Sequence, residues 1–246
     1  MDLPATSAAR TPEPGQLTEA LRRLPLFATL RDDQLAQVAR LARRHRYARD
    51  DVVFYQGDPG DTFYVVLSGR VKVTVSSPEG QEAILAMLGE GESFGELALL
   101  DEHPHSATVQ AVEPTEVLAL RRDAFQRLIQ QLPEIAIALL QVMARRLRAV
   151  DELVQDAASL DVSERLAKKL LALAASHGRR TPAGIVLDIH LTQQDLAAMI
   201  GATRESVNKQ LGVLRDLGIV AVDRQRITIL KPDALRERME AALRSL

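Results

Sequence analysis

The chain has 246 residues, a formal charge of −2 and 46% hydrophobic content, enough for two domains with cores of their own. It contains no cysteine, which excludes disulfides, thiolate-held zinc and cysteine-ligated iron–sulfur clusters and fits a reducing, cytoplasmic setting. The charge is uneven: residues 161–246 hold 14 Lys and Arg against 10 Asp and Glu, a net +4, and residues 1–160 carry −6, so only the C-terminal part leans towards a phosphate partner.

Residues 1–16, MDLPATSAARTPEPGQ, lack the apolar core of a signal peptide and read as a disordered tail. No run reaches the length of a membrane span, so no membrane partner is expected. Residues 17–132 read as one domain. Within it, Leu30 to Leu41 forms a short amphipathic helix with Leu35, Val38 and Leu41 inward. From Val52 to Leu120, short apolar runs are separated by turns at Gly57 to Asp61, Ser68-Gly69, Pro78-Glu79-Gly80, Gly89 to Gly91 and Asp101 to Pro104. This spacing predicts a small antiparallel roll or barrel. Val71, Val73 and Val75 alternate with Lys72, Thr74 and Ser76, giving that strand one buried and one wet face.

The segment FGELALLDEHPHSATV, residues 94–109, carries candidate ligand chemistry. Gly95 permits close approach of the backbone, and Glu96-Leu97-Ala98 begins a helical turn whose free N–H groups form an anion cradle. Ser106 adds a hydroxyl, and Glu96 can hold a sugar hydroxyl. A roll corner with a short helix and no ligand explains the same residues. His103 and His105 flank Pro104, as a haem ligand or a solvated corner would.

Pro133 opens a helix running to about Ala157, within a 133–158 dimerisation segment. Ala136, Leu139, Met143, Val150, Leu153 and Ala157 follow a near three-four repeat with Arg146 as its polar interruption, which predicts pairing of two copies. The alternative is a stripe packed on its own domain. Leu160 to Ser163 forms a hinge, with Asp161 or Ser163 capping a helix over Glu164 to Ala175.

Within residues 159–246, LTQQDLAAMIGATRESVNKQLGVL holds two helix signals around one turn. Thr192 and Asp195 make a capping box ahead of Leu196, Met199 and Ile200, and Gly201 ends that helix at a left-handed position. Thr203 caps the next, in which Val207, Leu211 and Leu214 face inward and Arg204, Glu205, Asn208 and Lys209 face out. Arg matches guanine O6/N7, Glu accepts from cytosine N4, and Asn and Lys reach adenine edges, guanine or phosphate, so the outward face can read a major groove. Thr192, Thr203 and Ser206 are grouped with them as DNA-binding residues. An αα-hairpin with a solvated face is the plainer alternative. Ile219 to Val222 and Arg226 to Leu230, around Asp223-Arg224-Gln225, read as a wing able to lie along phosphates. Ala234 to Leu246 reads as an amphipathic helix with Leu235, Met239, Ala242 and Leu243 on one face.

These motifs, in this order, resemble the transcription regulators of the cyclic-AMP receptor protein and fumarate–nitrate regulator (Crp–Fnr) family. The likeness covers nearly all of residues 20–230: β-roll, FGELALL with SATV, MARRL, LDVSERLA and TRESVNK. It implies an α+β fold with an N-terminal β-roll (double-stranded β-helix or jelly roll) sensor domain, a long dimerisation helix and a C-terminal winged helix-turn-helix. It further implies a homodimer on a palindrome resembling TGTGA-N6-TCACA, with Leu139, Met143, Arg146, Val150 and Leu153 at the dimer interface and RNA polymerase as a partner. Gly95, Glu96, Leu97, Ala98, His105, Ser106, Val150 and Asp151 fall at the effector site.

The departures lie in that site. Cyclic-nucleotide binders place an Arg before the Ser, where its fixed charge meets the cyclic phosphate; here it is His105. The polar pair that meets the purine aligns with Val150, which cannot make that hydrogen bond, and Asp151, which adds negative charge. Cyclic AMP, another effector, or a ligand-independent dimer all remain open. No nucleophile–base pair, metal-ligand spacing or Walker-type loop is present, so no enzyme is expected. A signalling module without DNA leaves the capped helix and wing unused.

Overall fold

The computed structural model of the chain describes residues 14–76, 82–189, 191–223 and 226–243. Residues 1–13, the turn at Pro78-Glu79-Gly80 and the wing tip Arg224-Gln225 lie outside the described residues. The polypeptide divides into two units between Leu147 and Arg148.

In the first unit, α1 (Pro14–Arg22) begins inside the segment that the sequence assigns to a tail, and α2 (Asp32–Leu41) follows. Among the described residues eight strands build the roll: β1 (Arg43–Tyr47), β2 (Val52–Phe54), β3 (Thr62–Ser68), β4 (Val71–Ser76), β5 (Glu82–Leu88), β6 (Ser93–Phe94), β7 (Thr108–Ala111) and β8 (Thr115–Arg121). They pair antiparallel as two four-stranded sheets in the orders β1-β8-β3-β6 and β2-β7-β4-β5, the jelly-roll arrangement expected. Val66, Val71, Leu88, Phe94, Val109 and Val117 form a core cluster drawn from both sheets. The register between β4 and β5 shifts by one residue after Val73, where Val73 faces Ala86 and Thr74 faces Ile84, so the bulge falls at Leu85 of β5. On β4 Thr74 is buried and Val73 and Val75 are half-buried, unlike the clean alternation expected.

The short helix α3 (Glu96–Asp101) sits between β6 and β7. After β8 come α4 (Arg122–Gln131) and the long α5 (Pro133–Ser159). A larger core joins Leu21, Phe27 and Leu35 to Phe63, Leu118, Phe125, Ile135 and Leu139, so the first turns of α5 belong to the sensor unit's own interior.

The second unit holds α6 (Val162–His177), β9 (Gly178–Thr181), β10 (Gly184–Leu187), α7 (Gln193–Ile200), α8 (Arg204–Asp216), β11 (Val220–Asp223), β12 (Arg226–Ile229) and α9 (Pro232–Leu243). Asp161 is the cap of α6: its carboxylate accepts from Glu164 N at 2.9 Å, and Glu164 accepts from Asp161 N at 2.7 Å. The wing strands are part of a four-stranded antiparallel sheet, β11-β12-β10-β9, whose β9–β10 hairpin the sequence pattern did not reveal. α9 packs on α6 with Leu235 fully buried. The side chains of Met239, Ala242 and Leu243 lie outside the described residues.

Candidate nucleic-acid interface and sensor site

The helix pair of the second unit is fixed by its caps. Thr192 Oγ1 accepts from Asp195 N at 3.0 Å and donates to Asp195 Oδ2 at 2.7 Å, and that carboxylate accepts from Thr192 N at 2.8 Å. Gly201 ends α7 at φ 61°, a left-handed conformation that costs other residues strain. Two residues later Thr203 Oγ1 accepts from Ser206 N at 3.2 Å and starts α8. With both ends set, Val207, Leu211 and Leu214 are buried and Arg204, Glu205, Asn208 and Lys209 stand exposed. Ser206 is half-buried, and its hydroxyl accepts from Thr203 Oγ1 at 3.0 Å. An open cleft of about 470 Å³ is lined by residues of α7, α8 and both wing strands, among them Gln193, Arg204, Val222 and Ile227. Gln193 Nε2 donates to Asn208 Oδ1 at 3.1 Å, a contact between α7 and α8 that no spacing rule signals.

The sensor unit treats its polar groups in the opposite way. Gly95, at φ 84°, precedes α3 in a left-handed conformation, and a Cβ there would meet the carbonyl oxygen of Thr62 at 2.7 Å. Arg122 donates to the carbonyls of Gly60, Ala98 and Leu99 at 2.7, 3.0 and 3.1 Å and so fixes α3 against the loop before β3. Glu96 is only 4% exposed and accepts from Arg146 Nη1 at 2.6 Å, while Arg146 Nη2 donates to the carbonyl of Ser93. Glu96 Oε2 and Ser93 Oγ are buried without a hydrogen-bond partner. Leu97 and Ser106 are exposed, and Ala98 is buried.

The two histidines part company. His103 is exposed, its Nδ1 2.8 Å from the carbonyl oxygen of Asp101, as a solvated corner would be. His105 is buried and stacks on Phe54, ring centroids 3.5 Å apart and planes within 6°. Its backbone is bonded both ways to the 57–58 turn, and a Cβ on Gly60 would lie 2.9 Å from its ring. Burial pushes the imidazole below its ordinary value of 6.5, with Asp58 and Asp61 opposing more weakly, which favours the neutral ring. Among the described residues no group of three metal-ligating side chains occurs, and no helix is long and apolar enough to cross a membrane.

On the long helix the residues that the sequence assigns to an interface are unequally exposed. Leu139 is 4% exposed in its own core, Met143 packs half-buried against that core, and Arg146 is committed to Glu96 and Ser93. Leu153 is half-buried. Of the five residues assigned to an interface only Val150 is exposed, at 47%, and Asp151 beside it is exposed too. The most exposed large apolar residues of α5 are Ile137, Leu140, Leu147 and Val154, with the last three 63–66% exposed. Together with Ala144, Asp151 and Ala158 they repeat at alternating three and four residues, a heptad seam with one acidic interruption. Val150 and Asp151 belong to the second unit, and Gly95, Glu96, Ala98 and His105 to the first.

Comparison with known proteins agrees with both halves. Residues 44–132 match the cyclic nucleotide-binding domain, and residues 164–238 match the Crp-like helix-turn-helix domain. The chain is 32% identical over 222 residues, 90% of its length and 99% of the relative's, to a CRP-like cAMP-activated global transcriptional regulator of Mycobacterium tuberculosis. It is 36% identical over 213 residues, 87% of its length and 95% of the relative's, to the cyclic AMP receptor protein of Thermus thermophilus. Among solved structures, a CooA mutant from Carboxydothermus hydrogenoformans superposes with a TM-score of 0.70 at 27% identity, covering 81% of this chain and 88% of that one. The c-di-GMP responsive global regulator of Xanthomonas campestris shares the fold, with a TM-score of 0.74 at 24% identity over 81% of this chain and 99% of that one.

Proposed function

The chain belongs to the Crp–Fnr family of transcription regulators, and on that premise we propose that it acts as a homodimer on a two-fold symmetric DNA site whose half-sites resemble TGTGA. The observation that carries this reading is the outward face of α8, where Arg204, Glu205 and Lys209 are exposed beside one another on a helix held by a cap at its start and a buried face behind. The N-terminal end of such a helix enters a major groove, and a carboxylate beside two cations reads both cytosine and guanine edges. Two copies joined along Ile137, Leu140, Leu147 and Val154 supply the second half-site. RNA polymerase is the further partner of an activator working this way.

We also propose that DNA binding does not depend on cyclic AMP, although the names of both relatives carry that nucleotide. His105, buried and stacked on Phe54 with its charged form disfavoured by burial, offers no fixed cation for a cyclic phosphate, and Glu96 is already engaged by Arg146. The test of the recognition helix is Arg204→Ala. Binding to the palindrome at fixed, stated salt falls and discrimination at one guanine per half-site relaxes, while circular dichroism stays unchanged. Unaltered binding by the variant would remove the assignment.

A further inference from the structure

We infer that Gln193 is a positioning residue for DNA specificity, setting which chemical edge Asn208 offers to a base pair; this rests on the recognition-helix reading above. Gln193 is the first residue of α7 and half-buried, Asn208 lies one turn into α8 on its exposed face, and the Gln193 amide donates to Asn208 Oδ1 at 3.1 Å. A carboxamide has one acceptor end and one donor end, and a free Asn uses both at once to pair with adenine N6 and N7. Here the acceptor end is turned towards α7. The NH2 end is left to the solvent-facing side, where Arg204, Glu205 and Lys209 also stand.

Asn208 therefore reads as a donor. Its partners are the acceptor-bearing edges of the major groove, namely guanine N7 and O6, thymine O4 and adenine N7, and it disfavours cytosine, which presents only N4–H2 there. The neighbouring contacts keep the pair in register. The Thr192–Asp195 box fixes the start of α7 one residue before Gln193, and Thr203 fixes α8 five residues before Asn208. Gln193 is thus held by a cap, and Asn208 is held by Gln193.

The experiment selects duplexes from a library with randomised half-sites on the full-length protein, then measures binding to the selected site and each single base-pair variant. For wild type, one base pair per half-site shows about tenfold discrimination against cytosine on the contacted strand. Asn208→Ala abolishes that discrimination. Gln193→Ala reduces it while leaving the positions read by Arg204 and Glu205 unchanged, and the double variant behaves as Asn208→Ala alone.

Gln193→Glu is the sharper test. A glutamate cannot donate to Oδ1, and accepts instead from the Asn208 NH2; the amide turns over and presents its oxygen to the groove. Preference at that one base pair then moves towards cytosine N4 or adenine N6, and an acidic residue in the first turn of α7 suits the helix dipole, so folding is preserved. A Gln193→Glu profile identical to wild type, or a uniform loss for all sequences with Gln193→Ala, overturns the inference. Arg204→Ala, run in parallel, separates this from the wider reading: if it too leaves the profile unchanged, α8 is not the reading helix and both fall.

Discussion

The two units of this chain handle polar side chains in contrasting ways. In the second, Arg204, Glu205, Asn208 and Lys209 stand in water, and the hydrogen bonds that matter are the caps behind them. In the first, Glu96, Ser93 and His105 are buried, with Glu96 tied to Arg146 and two oxygens without partners. A surface for a polyanion works by keeping charges solvated until phosphate displaces the counterions, so it tolerates sequence change around it. A small-molecule site works by withdrawing polar groups from water, where each must be matched, so in the effector site proposed for the first unit a single residue such as His105 would decide what can be held.

That contrast can be broken at several points. The largest effect is expected at the seam on α5. Leu147→Glu places a charge where an apolar side chain would be buried in each copy, and costs the dimer about 3 kcal/mol or more. Sedimentation then shows monomers and specific DNA binding is lost; a variant that remains dimeric would move the interface elsewhere. Next, Arg146→Leu leaves the Glu96 carboxylate buried and unpaired. Because the Arg146 side chain is 31% exposed, the loss is set below that of a fully buried pair, at about 2 kcal/mol for the sensor unit in urea unfolding. Were the pair interfacial, as the sequence placed Arg146, the same change would act on dimerisation and leave the monomer's stability alone.

The Arg204→Ala substitution is expected to cost about 1–3 kcal/mol per half-site in DNA affinity with no change in folding. Thr203→Ala, which removes only a cap, is expected to cost about 1 kcal/mol of stability, read by thermal unfolding.

Acidification sharpens the comparison further. His105 has a folded-state value depressed by burial, so the unfolded chain binds the proton more readily, and stability falls as pH drops below about 6.5. His45 is shifted the same way and by the same cause, so His105→Phe is expected to remove part of the acid loss and not all of it. An unchanged pH profile in that variant would show that the stacked ring is not what titrates.

Much of this architecture was legible in the sequence where a local rule acts. The Thr192–Asp195 box, the Gly201 stop and the inward row Val207, Leu211, Leu214 are all set within a turn or two, and appear as read. What escaped depends on distant partners. β1 spells Arg43-Arg44-His45-Arg46-Tyr47, with no strand pattern of its own, and forms because β8 pairs with it. α5 carries two apolar stripes about one residue apart, and periodicity cannot tell which one the first unit's core takes; Leu139 is buried in the cluster that also holds Phe63, Phe125 and Leu128. Glu96 and Arg146 are 50 residues apart, and Gln193 and Asn208 are 15, beyond any helical or strand repeat.

The most direct test of the account is the affinity of the purified protein for a duplex bearing two TGTGA-type half-sites, against a scrambled duplex at one stated salt concentration, with and without saturating cyclic AMP. Specific binding without nucleotide, unchanged when it is added, is the expected result. Specific binding that appears only with cyclic AMP would contradict it, showing that a nucleotide site survives around His105 and Glu96.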